Sequence, residues 1–260
     1  MEPNKLHLVY FSPTGTTQAV LRAMANDLNA EIVEHDVTDY TQRDVTLKFG
    51  ADDFVIFGFP VYGGRVPQTF RERLVGIEGR HTFAALIATY GNREYEDALL
   101  EMNDLAVENG FLPIGAAAVV TEHSVIRSVA AGRPDEKDRV FIGEFCSKLN
   151  GKIASLHPEA GAAPLSVPGK KPYRRYMALP MAPVASAACT ACGLCAKSCP
   201  TGAISAQDPR KTDRQKCIGC MRCVRICPQK ARDLPTLKTA AGKLFLSAAA
   251  RIRKEPEMFL

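Results

Sequence analysis

The apolar positions in the first half of the chain alternate between short unbroken blocks and helical stripes. Residues 5–11 are apolar and aromatic-rich and predict a buried strand. After a polar loop, Val20, Leu21, Met24, Ala25 and Leu28 share one face of an amphipathic helix over 18–28. Strands are predicted over 31–37, 54–58, 82–90 and 112–121; the unbroken apolar run at 54–58 marks burial on both faces. Helices fall over 96–108, with Leu99, Met102, Leu105 and Ala106 inward, and over 136–153. Strands alternating with helices predict an α/β domain with a parallel sheet, spanning 1–156.

That rhythm stops at 157. Prolines 158, 164, 168, 172, 180 and 183, with glycine and alanine between them, predict an extended basic joint over 157–185. A cysteine-rich module follows over 186–232. In the tail, 233–260, Leu244, Phe245, Ala248 and Ile252 predict an amphipathic helix over 236–253. Packing back on the first domain is its expected use, before docking of a partner.

Eight of the nine cysteines lie in two runs, Cys189-x2-Cys192-x2-Cys195-x3-Cys199-Pro200 and Cys217-x2-Cys220-x2-Cys223-x3-Cys227-Pro228. In this spacing three thiolates wrap one face of a [4Fe–4S] cube and the fourth reaches the other cube, as in bacterial-type ferredoxins. The proline turns the chain away. One cluster's ligands are then Cys189, Cys192, Cys195 and Cys227; the other's are Cys217, Cys220, Cys223 and Cys199. Structural zinc would use C-x2-C pairs across a longer spacer. A disulfide framework would need an oxidising compartment, and no basic leader or cleavage site precedes the first strand. Cys146 sits on the stripe of Ile142, Phe145, Leu149 and Ile153 and is expected to be a core residue. A cytoplasmic location follows from the oxygen-labile clusters.

Between the first strand and helix lies Ser12-Pro-Thr-Gly-Thr-Thr17. Hydroxyls and free N–H groups at a helix N-terminus cradle an anion; a plain helix cap is the bland alternative. Without a lysine or G-x-x-x-x-G-K-[ST] the loop does not suit a nucleoside triphosphate. It suits a single terminal phosphate such as that of FMN. This Ser-x-Thr-Gly-x-Thr motif resembles the flavodoxin family. The resemblance implies a five-stranded sheet in the order 2-1-3-4-5, with FMN beyond the strand C-termini. It further implies that Ser12, Thr14, Gly15, Thr16 and Thr17 hold the phosphate. Pro60, Val61, Tyr62, Gly63 and Gly64 would form one ring loop, and Thr89, Tyr90, Gly91 and Asn92 the other. Tyr62 and Tyr90 would flank the ring, or else merely pack, and Gly63 or Gly64 would supply a peptide free to flip. The chain has no tryptophan to cover the ring. His123, beside Glu122, is expected to hydrogen-bond its loop before it is expected to move protons, and no catalytic residue is assigned. The insertion 125–134 is placed to cover the flavin.

Charge divides the chain. Residues 1–156 hold 15 Lys+Arg against 22 Asp+Glu, net −7, and the remainder 18 against 6, net +12. Two oxidised cubes at about −2 each would reduce the second figure to roughly +8. The expectation is that the basic half docks on the acidic one; a nucleic-acid partner is not expected, because a basic patch is only one part of that footprint. No apolar run reaches the length of a membrane span. The whole chain resembles the flavodoxin–ferredoxin fusion proteins of anaerobes, the EFR1-type ferredoxin family, which implies electron transfer. Either the chain carries electrons between redox protein partners, or the clusters feed an FMN that reduces a small molecule. The first reading is preferred, because no G-x-G-x-x-G nucleotide fingerprint follows a predicted strand.

Overall fold

The computed structural model describes residues 5–28, 30–156, 163–177, 181–235, 250 and 252–260. The first domain contains β1 (Lys5–Tyr10), α1 (Thr16–Ala25), β2 (Ile32–Asp36), β3 (Leu47–Phe49), β4 (Asp53–Pro60), α2 (Gln68–Leu74), β5 (Ile77–Gly79), β6 (Thr82–Tyr90), α3 (Ala98–Glu108), β7 (Phe111–Val120) and α4 (Glu136–Ser155). After the joint come β8 (Val184–Ala185), α5 (Leu194–Lys197), α6 (Arg222–Arg225), β9 (Arg232–Asp233) and β10 (Glu257–Phe259).

The main sheet runs β2-β1-β4-β6-β7-β10. The first five strands are parallel, in the flavodoxin-like arrangement whose ligand crevice lies beyond the strand C-termini. The sixth, β10, runs antiparallel along β7, pairing Glu257, Met258 and Phe259 with Ala118, Ala117 and Ala116. The sheet therefore has six strands, not the expected five, and the tail ends as a strand. Three residues are too few to show a period of two in the sequence. Of the helix expected over 236–253, only Ala250, Ile252 and Arg253 are described; they are not helical, and Ile252 is exposed. The rest lies outside the described residues.

Each face of the sheet has its own core. Val55, Phe57, Phe59, Phe70, Leu99 and Phe111 pack under α2 and α3. Leu8, Tyr10, Val20, Leu21, Ile56, Phe145 and Leu149 pack under α1 and α4. Cys146 is fully buried in the second core, with its Sγ 3.7 Å from the Met24 carbonyl. At Gly58 of β4 a β-carbon would lie 2.5 Å from Leu21 and 3.0 Å from Thr17 of α1. Glycine there seats α1, and the loop preceding it, tightly on the strand ends.

Two predicted boundaries shift. Helix α3 begins at Ala98, because Glu96 takes a left-handed φ of 44° in the preceding turn. The joint ends in structure: Val184 and Ala185 pair antiparallel with Asp233 and Arg232. Earlier in the joint, Leu165 and Val167 pack on the first core. There the Asp97 carboxylate accepts from the amides of Lys170 (2.9 Å) and Arg174 (2.8 Å). Lys171 reaches Asp104 at 2.6 Å, and Arg174 pairs with Glu96. Helix α2 and the β3–β5 pair were not anticipated.

Candidate functional site

The cysteine module is built from two half-motifs of one shape. Cys189, Cys192, Cys195 and Cys199 correspond in spacing to Cys217, Cys220, Cys223 and Cys227. Backbone conformation repeats with them. Left-handed φ values occur at Ala191 (56°), Gly193 (78°) and Gly202 (62°), and at their counterparts Gly219 (65°), Met221 (62°) and Lys230 (49°). Alanine, methionine and lysine rarely adopt such values. Successive right- and left-handed residues aim backbone N–H groups into a concavity, which explains why both halves retain the shape. The amides of Ala203 and Ala231 donate to Cys199 Sγ and Cys227 Sγ, each at 3.3 Å.

The two half-motifs exchange their fourth cysteines. One cavity is lined by Cys189, Cys192, Cys195 and Cys227, together with Pro209 and Arg232. The other is lined by Cys199, Cys217, Cys220 and Cys223, with Ile204 and Arg222. Among the described residues no three metal-binding side chains converge to hold a single ion. Four sulfurs spread over the walls of a cavity suit a polynuclear group, whereas a lone zinc needs all four within about 2.3 Å. Burial pushes the Cys217 and Cys220 thiols up and Cys223 to about 11; iron would displace those protons, because the thiolate is the ligand. The residues present fit two iron–sulfur groups.

A third and larger space, about 280 Å³, opens between the module and the strand C-termini. It lies just below the usual range of small-molecule sites, about 300–1,000 Å³. Thr14 and Thr16 form its wall on the α1 side; Glu122, Ser124 and Arg127 come from the loop after β7; Met221, Val224, Arg225, Cys227, Lys230, Arg232 and Asp233 come from the module. Gly15 turns the chain into α1 with φ 82°. The Ser12 hydroxyl caps the Gln18 amide at 3.0 Å, and the Thr14 and Thr16 hydroxyls lie 3.3 Å apart. The amides of Thr14, Thr16 and Thr17 donate to nothing among the described residues. Thr17 is buried, its hydroxyl 2.7 Å from that of Thr89, so neither hydroxyl faces the space. Thr14, Thr16, the free amides and the facing cations fit the phosphate end of FMN.

The expected ring loops do not line this space. Pro60 and Val61 lead from β4 to Tyr62, and the Val61 amide donates to the Thr89 carbonyl at 2.8 Å. Tyr62 lies near Cys220 and Tyr176, and burial pushes its phenol well up. Gly63 backs onto Met177 and Gly64 onto Glu96 and Arg174, so the joint covers this loop. Tyr90 is buried edge-on to Tyr95, Gly91 abuts His123, and Asn92 is occupied by the tail. The Asn92 amide donates to the carbonyls of Ala250 (2.8 Å) and Ile252 (2.9 Å) and its oxygen accepts from the Lys254 amide (3.0 Å). His123 Nδ1 accepts from the amides of Val125 and Ile126, both at 3.1 Å, and burial lowers its pKa. It organises its loop as a neutral acceptor.

Arginines join the two halves. Arg222 donates to Asp39 at 2.9 Å and to the Ser12 and Pro13 carbonyls, and Arg225 reaches Glu122 at 3.1 Å. Arg73, 2% exposed, donates to the Asp39 carbonyl (3.0 Å) and to the Pro200 carbonyl beside Cys199 (2.8 Å). Burial brings its pKa down to about 10. Sequence reasoning missed the cations of the large space: Arg127, Arg225, Lys230 and Arg232. The one signal for them was the internal repeat, which sets Arg232 at the position held by Ile204 in the other half.

The 4Fe-4S dicluster domain family matches residues 188–232, which include all eight motif cysteines. A stretch of 55 residues, 21% of this chain, is 46% identical to the putative oxidoreductase AegA of Escherichia coli strain K12 and covers 8% of it. Another comparison pairs 41 residues, 15% of the chain, at 49% identity with a component of the ion-translocating oxidoreductase complex of Methanosarcina acetivorans, covering 16% of that protein. The chain thus spans less than a fifth of the curated relatives it matches. Among solved structures, a flavodoxin from the domain Archaea aligns with 58% of this chain and 99% of its own, at 14% identity and a TM-score of 0.41. A flavodoxin of Streptococcus pneumoniae TIGR4 aligns with 57% and 99%, at 16% identity and 0.39. The chain therefore joins a flavodoxin-like α/β sheet to a 4Fe-4S dicluster domain. No helix among the described residues is long and apolar enough to cross a membrane.

Proposed function

We propose that this chain is a flavo–iron–sulfur oxidoreductase, in which two [4Fe–4S] clusters and an FMN exchange electrons to reduce a small molecule. Its module order supports grouping it with the flavodoxin–ferredoxin fusions of the EFR1 type, working in a cytoplasm. The observation that carries the reading is Cys227, which lines both a cluster cavity and the large space above the phosphate loop. Clusters pass single electrons, and a flavin stores one or two, so their pairing matches one-electron donors to two-electron chemistry. Thr14, Thr16 and the amides at the start of α1 would bind the FMN phosphate. Arg127, Arg225 and Lys230 would face it or an anionic acceptor. The basic module docked on the acidic domain would fix the approach of the two groups.

Cations beyond what one phosphate needs line this space, which favours the reductase over a pure carrier, because they could also receive an anionic substrate. One observation favours a protein donor: Cys192 and Leu194, at the first cluster cavity, are exposed and give an edge at which a redox protein can deliver electrons. Anaerobic purification with iron, sulfide and flavin quantified tests the central claim. The expected result is about eight irons and one FMN per chain; flavin retention should be lost in a Thr14→Val, Thr16→Val variant. A preparation that holds iron but never flavin would reduce the reading to a cluster protein.

A further inference from the structure

Arg232 stands apart from every other arginine of the module. It is 2% exposed and lies between the first cluster cavity and the large space, lining both. Its Nη1 is 3.6 Å from Cys195 Sγ and also donates to the Pro209 carbonyl. Nη2 donates to the Pro183 carbonyl at 3.3 Å and to the Thr212 hydroxyl. Nε is buried with no partner among the described residues. None of these contacts is a carboxylate. By contrast Arg222, which lines the second cavity, pairs with Asp39. Arg232 holds the position of Ile204 in an otherwise repeated backbone, so the loop shape needs only an aliphatic residue there. A guanidinium removed from water is strongly unfavourable unless paired. Among the described residues, sulfurs of both cavities lie against it: Cys195 Sγ at 3.6 Å, and Cys223 and Cys217 within reach of its charge.

We propose that Arg232 is the fixed counter-ion of the clusters. Its charge offsets the electron added on reduction, so that one electron from a one-electron donor enters a cube with no proton uptake and no bond broken. It lines the cavity of the Cys189–Cys192–Cys195–Cys227 cube, which adjoins the large space, and lies against sulfurs of both cubes, so that its charge holds an added electron beside that space. This rests on the cluster reading above.

The test is a redox titration of the reconstituted full chain with dithionite and mediators, followed by electron paramagnetic resonance, after iron has been counted. Absence of iron in the unmodified protein would sink the cluster reading itself. With eight irons present, Arg232→Met should lower the reduced-to-oxidised ratio of one cube at fixed potential at least tenfold, equivalent to about 59 mV for one electron. A change below tenfold overturns the proposal. If Arg232→Met fails to hold clusters, Arg232→Lys carries the test. A ratio within threefold of the unmodified protein supports the role of charge; a larger fall, or loss of clusters there too, shows that the guanidinium's hydrogen bonds matter instead and overturns it.

Discussion

At the scale of single residues, the first domain holds one buried carboxylate tightly paired with an arginine. Glu101 is 2% exposed and accepts from Arg65 Nε (2.7 Å), Arg65 Nη2 (2.6 Å) and the Val66 amide (2.9 Å). Arg65 in turn donates to the Arg174 carbonyl at 2.5 Å, so this pair also pins the joint. Replacing Glu101 by Ala leaves Arg65 buried without its counter-charge and should cost about 3–5 kcal/mol, measured by denaturant unfolding. His123 gives a pH prediction. Burial lowers its pKa in the folded chain, so below the ordinary value near 6.5 the unfolded chain binds more protons. Stability is thus complete above that value and declines as pH falls through it, levelling off below the depressed value. The protection of the Val125 and Ile126 amides, corrected for the intrinsic exchange rate at each pH, should fall between about pH 7.5 and pH 5, and His123→Gln should flatten that dependence. Equal protection at both values would show that His123 does not hold the loop.

Elements show what could be read in advance and what could not. The five parallel strands announced themselves because β4 and β6 are buried on both faces and carry long apolar runs. The eight cysteines were equally plain, since their spacing is dictated by the bond geometry of a cube. β10 was invisible: its three residues gain their strand character from the free edge of β7, a partner over a hundred residues away. The surroundings of Tyr90 and Asn92 were hidden for a related reason. Tyr90 packs on Tyr95, whose hydroxyl donates to Glu257 (3.0 Å), and Asn92 binds the tail. Only long-range contacts could reveal that the tail occupies the second ring loop. Ending the chain after Arg253 should expose the β7 edge and remove the apolar contacts that Met258 and Phe259 make on the sheet. It should cost at least about 2 kcal/mol of apolar burial, lower Tm by at least about 4 °C and promote association along the edge. An unchanged melting temperature would mean that β10 contributes little.

The whole molecule is joined by a contact of two kinds. The Arg222–Asp39 and Arg225–Glu122 pairs are partly exposed and contribute little each. Arg73 is buried, and its guanidinium also lies 5.4 Å from the Phe11 ring. Salt screens the first kind and hardly touches the second. The radius of gyration from small-angle scattering should therefore hold steady between about 0.05 and about 0.5 M salt. Arg73→Met should make it grow with salt; a salt-driven expansion of the unmodified chain would mean that the rim pairs carry the contact. β10 adds a consequence in the order of synthesis. The strand that pairs with the β7 edge is made after every cysteine of the module, so a growing chain presents its sulfur ligands while that edge is still open. Domains fold as they emerge during translation, and here the first domain cannot be completed until the module behind it has been produced. Biosynthesis itself thus sets the sequence of events: ligands first, seal afterwards.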